Sequence, residues 1–306
     1  MRLFLKLYDT FTGRDKIVVN CRHIVRALSD YIGERSLRLN ENLERAAEFI
    51  ESAFALHGTI PDKEKFKAEG HNVVNVIAEL PGKKNPEKII IIGAHYDTVE
   101  GSPGANDNGS GIAALLELHR LLKKETHKKT IRFVAFALEE PPFFGTELMG
   151  SFQHAKNCKK RKENIELMLC LDMLGIGSRF AKQNYPVEDM KRNYPKKGNY
   201  LAVATLPSQS KTAFYFKKYF NKNSFIKMFE MIAPASVPGI DYSDHSSFIK
   251  QGYPAIMVTD TGFYRNPRYH TSEDISSTLN YRFLGYTVYS LYKTIKDLAS
   301  GRKIPN

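Results

Sequence analysis

The chain has no tryptophan and only three cysteines, Cys21, Cys158 and Cys170, among 306 residues. Three is an odd number and no two stand as CxxC, so idle or buried thiols are expected and a disulfide framework is not. Long apolar runs are missing too: nothing approaches the roughly 18 residues that a membrane span needs. The start, Met1 to Asp9, carries an apolar run too short for a signal-peptide core. The sequence as given therefore reads as cytoplasmic, with an exported form left to a processed or engineered start. What is present is a globular composition, 42% hydrophobic and 25% charged, in a chain long enough to bury its apolar surface without staples.

Acidic residues are the scarcer sign, 33 against 45 basic, for a formal charge of +12. The basic residues come in short scattered runs, such as Lys123-Lys124 and Lys159-Lys160-Arg161-Lys162, with no aromatics interleaved. That pattern reads as a solvated basic surface favouring acidic partners, not as a nucleic-acid site. No internal repeat, low-complexity segment or convincing boundary divides residues 1–306, so one domain is expected. The oligomeric state is not legible.

Hydrophobic spacing predicts N-terminal helices at about 20–57: one over 20–32 on Ile24, Leu28 and Ile32, and a second from Glu41 to Leu56. Asn40 is placed to cap the second and Gly58 to end it. After a polar stretch, Val73–Leu80 reads as a strand. Ile89–Ile92, Ile131–Leu138, Leu167–Leu171 and Ala255–Val258 are continuous apolar runs, which suit strands covered on both faces. An Ala- and Leu-rich helix, about Gly111–Lys123, lies between the first two, and strand–helix–strand at that spacing predicts a largely parallel sheet. Tyr200–Ala204 reads as a further strand and Phe283–Leu298 as a closing helix. Ser178–Lys197 and Phe225–Tyr242 read as loops that shape a specificity pocket.

Polar residues cluster where these strands end. The first ends in Gly93-Ala94-His95-Tyr96-Asp97, the second in Leu138-Glu139-Glu140 and the third in Leu171-Asp172; the fourth is followed, after a loop, by Tyr269-His270-Thr271. In open α/β sheets, ligands bind beyond the carboxyl ends of the strands. A lone strand-end histidine is usually structural and an acidic pair usually a solvated turn. Two glutamates directly after an apolar strand are costly without a partner, however, and imidazoles with carboxylates suit zinc or a similar divalent ion. Asp97, two residues after His95, is placed to accept the second ring N–H of that histidine. Asp107, just before a helix start, can offer both oxygens to two cations. The Walker spacing of a phosphate loop is absent from Gly101–Gly111.

The ordered set His95-Tyr96-Asp97, Gly104-Ala105-Asn106-Asp107-Asn108, Glu139-Glu140, Leu171-Asp172-Met173-Leu174-Gly175, Ser243-Asp244-His245 and Tyr269-His270-Thr271 resembles metallopeptidase family twenty-eight. The resemblance runs from about Leu39 to the closing helix. It implies a three-layer α/β/α sandwich around a mixed, largely parallel sheet of about eight strands. It also implies two divalent metal ions, most readily Zn2+: Asp107 bridges them, His95 and Asp172 complete one, and Glu140 and His270 the other. Glu139 would be the general base, and Asp244 a residue beside the ligands or the substrate. The implied activity is an exopeptidase, an aminopeptidase acting on peptides with a free N-terminus. Pro141-Pro142-Phe143-Phe144 departs from the Gly-rich continuation usual in that family and is expected to reshape the wall of the site.

Three rivals stand beside this reading. A glutaminyl cyclase uses one zinc and generally carries Trp before its last histidine, where this chain has Tyr269. Two-domain aminoacylases insert a lid domain between their last two ligands, but Asp172 and His270 are only 98 residues apart. A non-catalytic binding module on the same fold would lose ligands, and here all five and the base are present.

Overall fold

The computed structural model describes residues 2–302, 304 and 305. The chain opens with helix α1 (Arg2–Arg26), which runs on as a π-helical segment (Ala27–Ile32), and then forms α2 (Asn40–Leu56). There follow β1 (Asp62–Ala68), β2 (His71–Leu80), β3 (Asn85–His95), α3 (Gly109–Leu122), β4 (Lys129–Phe136), α4 (Gly150–Lys160) and β5 (Asn164–Leu171). Next come α5 (Glu188–Asn193), β6 (Leu201–Thr205), α6 (Ser210–Asn223), β7 (Met228–Ile232), α7 (His245–Lys250), β8 (Ala255–Thr259) and α8 (Tyr281–Ala299).

All eight strands form one mixed sheet in the order β1-β2-β4-β3-β5-β8-β6-β7. The central β4, β3, β5 and β8 run parallel; β2 joins β4 antiparallel, and β6 joins β8 antiparallel. The isoleucine run of β3 explains the layering. Side chains alternate across a strand, so Ile90 and Ile92 pack into a core shared with Val25, Leu115 and Leu291 from α1, α3 and α8. Ile89 and Ile91 enter a second core with Cys158 of α4 and Phe248 of α7. The sheet is therefore covered on both faces, as the uninterrupted apolar run requires, and the expected α/β/α sandwich is what forms. No helix among the described residues is long and apolar enough to cross a membrane.

Several elements differ from the sequence expectation. The helix expected at residue 20 begins at Arg2. Its buried stripe is Ile17, Cys21, Val25 and Leu28, so of the expected stripe Leu28 is buried while Ile24 and Ile32 are only partly so. The polar stretch after α2 contains β1, an edge strand whose Lys63 and Lys67 are exposed, as is common where a sheet edge must resist further pairing. The segment Phe225–Tyr242 includes β7, and the loop Ser178–Lys197 holds the short α5. Strand β4 stops at Phe136, before Leu138, which takes a left-handed φ of 58°.

Candidate active site

Parallel strands β3, β4 and β5 end on one edge of the sheet, and the polar residues that follow them converge there. His95 is the last residue of β3, Asp172 follows β5 directly, and the turn at Leu138 delivers Glu139 and Glu140. Asp107 stands two residues before α3. Its loop is held by Asn108, whose Oδ1 accepts from Gly111 N at 3.0 Å to cap the helix and whose amide donates to Leu171 O at 2.9 Å. His270 arrives from the segment after β8 with a left-handed φ of 60°, and its ring lies flat on Tyr269, with centroids 3.7 Å apart.

The geometry is that of a cluster built around Asp107. Its Oδ1 lies 3.3 Å from His95 Nε2 and its Oδ2 3.2 Å from His270 Nε2. His95 Nε2 is also 3.7 Å from Asp172 Oδ2, and His270 Nε2 is 3.1 Å from Glu140 Oε2. Glu139 Oε2 stands farther off, 3.8 Å from His95 Nε2. All six residues are buried except His270, which is partly so. Nε2 of both histidines, Glu140 Oε1 and Asp172 Oδ1 have no hydrogen-bond partner among the described residues. Buried polar atoms are almost always paired, so orphaned nitrogens and oxygens aimed at common points fit cations between them. His95, Asp107 and Glu140 bring one ligand atom each within 4.8 Å of one another.

Electrostatics point the same way. Burial pushes Glu139 well above the usual carboxyl range, and nearby Glu140 and Asp172 add to it against the pull of His95. Burial and the neighbouring Asp107 push Glu140 up to about 8. Burial would raise Asp107 as well, but its contacts with His270 and His95 prevail and hold it below its ordinary value. Burial would lower His270, yet Asp107 and Glu140 hold it up at about 10. Four carboxylates packed this closely repel one another unless positive charge sits among them.

Asp97 lies 3.5 Å from His95 Nδ1, and its two oxygens accept the backbone N–H groups of Glu139 and Glu140 at 3.1 and 3.0 Å. It thereby fixes the turn that carries both glutamates. Of the Ser-Asp-His segment, Asp244 is fully buried with both oxygens unpartnered among the described residues, while His245 pins the chain through Ile240 O at 2.9 Å.

Two further residues escaped the sequence reading. Asp274 accepts the backbone N–H of Asn106 and of Asp107, the latter at 2.9 Å, and so clamps the loop that presents Asp107. Its place four residues after His270 was the available signal. Arg35 is fully buried and donates to five backbone carbonyls, including Tyr96 O at 2.7 Å and Gly104 O at 2.9 Å. It ties the segment before α2 to the strand end and the loop, and a single arginine in a polar stretch gave no warning of that.

A cavity of about 400 Å³ opens from the carboxylates. Its wall takes Gln183–Pro186 and Met190 from the β5–β6 excursion, Met231 and Ile240 from β7 and the segment after it, and Phe263 and Tyr264 after β8. Pro141 and Phe144 also line it, with Phe144 edge-on to Tyr242 at 5.7 Å. The Pro-Pro-Phe-Phe departure thus does form wall.

Comparison with known proteins adds three kinds of finding. The sequence profile of peptidase family M28 matches residues 75–292. An uncharacterized protein of Escherichia coli, YfbL, is 36% identical over 86% of this chain and 83% of its own length. Leucine aminopeptidase 1 of Neurospora crassa is 27% identical over 78% of this chain, which spans only 56% of that relative. Among solved structures, the zinc aminopeptidase BSAP of Bacillus subtilis superposes with a TM-score of 0.72 at 18% identity, covering 94% of this chain and 96% of that one. The glutaminyl cyclase of Fimbriiglobus ruber does so with a TM-score of 0.66 at 18% identity, covering 91% and 94%. At that identity, both show the fold alone.

Proposed function

The chain belongs to peptidase family M28, and on that premise we propose that it is a zinc-dependent aminopeptidase, removing single residues from the free N-termini of peptides. Two metal ions would be held by His95, Asp107, Glu140, Asp172 and His270, with Asp107 shared between them. Its two oxygens face different histidines, 3.3 and 3.2 Å away, which supports the sharing. When bound, such ions supply Lewis acidity to a substrate carbonyl and lower the pKa of a water between them toward neutrality.

The observation that carries the aminopeptidase reading is the charge of the cavity. Asp107, Glu139, Glu140 and Asp172 line it, and among the described residues no lysine or arginine does. A substrate's C-terminal carboxylate would find no guanidinium or ammonium partner there. With Asp107, Glu140 and Asp172 given to the metals, a free amino group still has the Glu139 carboxylate to approach. Beyond the carboxylates the wall is apolar, with Met190, Met231, Met257 and Ile240, so bulky apolar N-terminal side chains fit.

Glu139 is the proton carrier in this reading. It stands off the histidines, yet in the same cluster, and burial raises its affinity for a proton. It takes a proton from the attacking water and returns it to the leaving amine. Asp97 supports it by holding the Glu139 and Glu140 amides. Release of the first residue from an unblocked peptide, and not from its N-acetylated counterpart, tests the assignment.

A further inference from the structure

The excursion between β5 and β6 supplies Gln183–Pro186 and Met190 to the cavity wall, and apart from α5 its backbone pairing lies at its base. Ser178 N donates to Gly198 O at 2.7 Å, Gly198 N to Ala181 O at 2.9 Å and Gln183 N to Lys196 O at 3.3 Å. A buried guanidinium holds the inner side. Arg265, only 6% exposed, donates Nε to Gln183 Oε1 at 2.8 Å and Nη1 to the carbonyls of Ile176 and Tyr200, both at 2.9 Å. It also lies over the Tyr200 ring, 4.7 Å from the centroid. Gly198 leaves room for it, since a Cβ there would come within 2.6 Å of the arginine Nε. Gln183 passes the restraint on, donating its amide to Thr261 Oγ1 at 2.9 Å.

Arg265 does not itself line the cavity, and among the described residues no carboxylate hydrogen-bonds it, Asp260 acting on it only through space. A buried cation so paired is costly to place, which asks for a role that a neutral residue would not fill. The surrounding network supplies one. Asp260 accepts from Ile176 N at 2.7 Å, from Gly262 N at 3.0 Å and from Asn106 Nδ2 at 3.2 Å. Asn106 adjoins Asp107. A continuous set of bonds thus runs from the Asp107 loop through Asp260 and Ile176 to Arg265, and on to the cavity wall at Gln183.

We propose that Arg265 is the positioning residue that sets the depth of the side-chain pocket, by clamping Gln183 and the wall behind it against the Thr261 turn. This rests on the aminopeptidase reading. Large N-terminal side chains need the wall held open; an alanine side chain ends before reaching it. Arg265 touches neither substrate nor metal, so its loss acts on recognition of large side chains and spares the proton transfer.

The test compares wild type, Arg265→Lys, Gln183→Met and the double variant on phenylalanyl, leucyl and alanyl p-nitroanilides. Lysine keeps the charge and loses the fork. Arg265→Lys should raise KM for the phenylalanyl and leucyl substrates about tenfold, the scale of a misfitted apolar pocket, with kcat, alanyl hydrolysis and zinc content held. Hydrogen exchange over residues 178–198 should quicken. The double variant should lose no more phenylalanyl-over-alanyl preference than Arg265→Lys alone, because that variant already breaks the Arg265–Gln183 bond that Gln183→Met removes. An unchanged preference in folded Gln183→Met, additive losses, or a uniform fall in kcat overturns the proposal. If wild type cleaves none of the three substrates, the aminopeptidase reading fails instead; unchanged exchange over 178–198 in Arg265→Lys then still refutes the clamp.

Discussion

His270 Nε2 lies 3.2 Å from Asp107 Oδ2, inside ion-pair range, yet it makes no hydrogen bond among the described residues. The other oxygen of Asp107 faces His95 in the same way. A carboxylate stretched between two imidazoles with unpartnered nitrogens supports the proposed pair of cations. Elemental analysis of protein purified without chelator should find two zinc ions per chain, and chelation should abolish turnover. One ion, unchanged by added zinc, contradicts the shared-ligand account and favours a cyclase-like site.

Metal uptake should depend on pH in a defined direction. Burial and neighbouring charge push Glu140 up to about 8, and its neighbours hold His270 at about 10, so in the metal-free protein both carry protons near neutrality. Binding must displace those protons. Zinc affinity should therefore fall as pH drops from about 8 to about 6, with protons released on binding. Titration calorimetry in buffers of different ionisation enthalpy measures both; an affinity flat across that range contradicts the reading.

Adjacent glutamates should separate cleanly. Glu139→Gln keeps size and shape but removes the proton carrier. Folding and metal content should survive while kcat falls by roughly 10²–10⁴-fold, the usual contribution of a positioned acid–base group. Glu140→Gln removes an anionic ligand 3.1 Å from His270 and should weaken metal retention first. Metal lost from the first variant and kept by the second would mean the roles are exchanged.

Acid should find a weak point on the edge strand β1. Glu64 on β1 bonds His154, Asn157 and Asn75, and burial, which would raise it, is outweighed by these partners so that it sits at about 2. Because its pKa is depressed from 4.5, the stabilisation is whole above that value and is lost as pH falls through it toward 2. Glu64→Gln should cost stability at pH 6 and converge with wild type by about pH 2 in urea unfolding of metal-free protein. Equal losses at both pH values would assign the cost to packing instead.

Which parts were legible follows from how local their signals are. The strand runs around Ile89–Ile92 and Ile131 announced themselves, and so did the acids and histidines at their ends, because two-sided burial forbids such residues without a partner. Strand β1 did not, since its charges are there to keep an edge from pairing. Nor did α1 show its whole buried stripe, because Ile24 mimics the part that Cys21 and Val25 form. Asp274, Arg35 and Arg265 act by reaching backbone or side chains far away in sequence, and nothing in their own neighbourhood records that.

The most direct measurement of the central claim is hydrolysis of leucyl and phenylalanyl peptides beside their N-acetylated counterparts, before chelation, after it, and after zinc is restored. The account predicts release of the first amino acid from unblocked peptides only, lost with chelator and recovered with zinc. Internal cleavage of blocked peptides, release of C-terminal residues, or activity indifferent to chelation would contradict it.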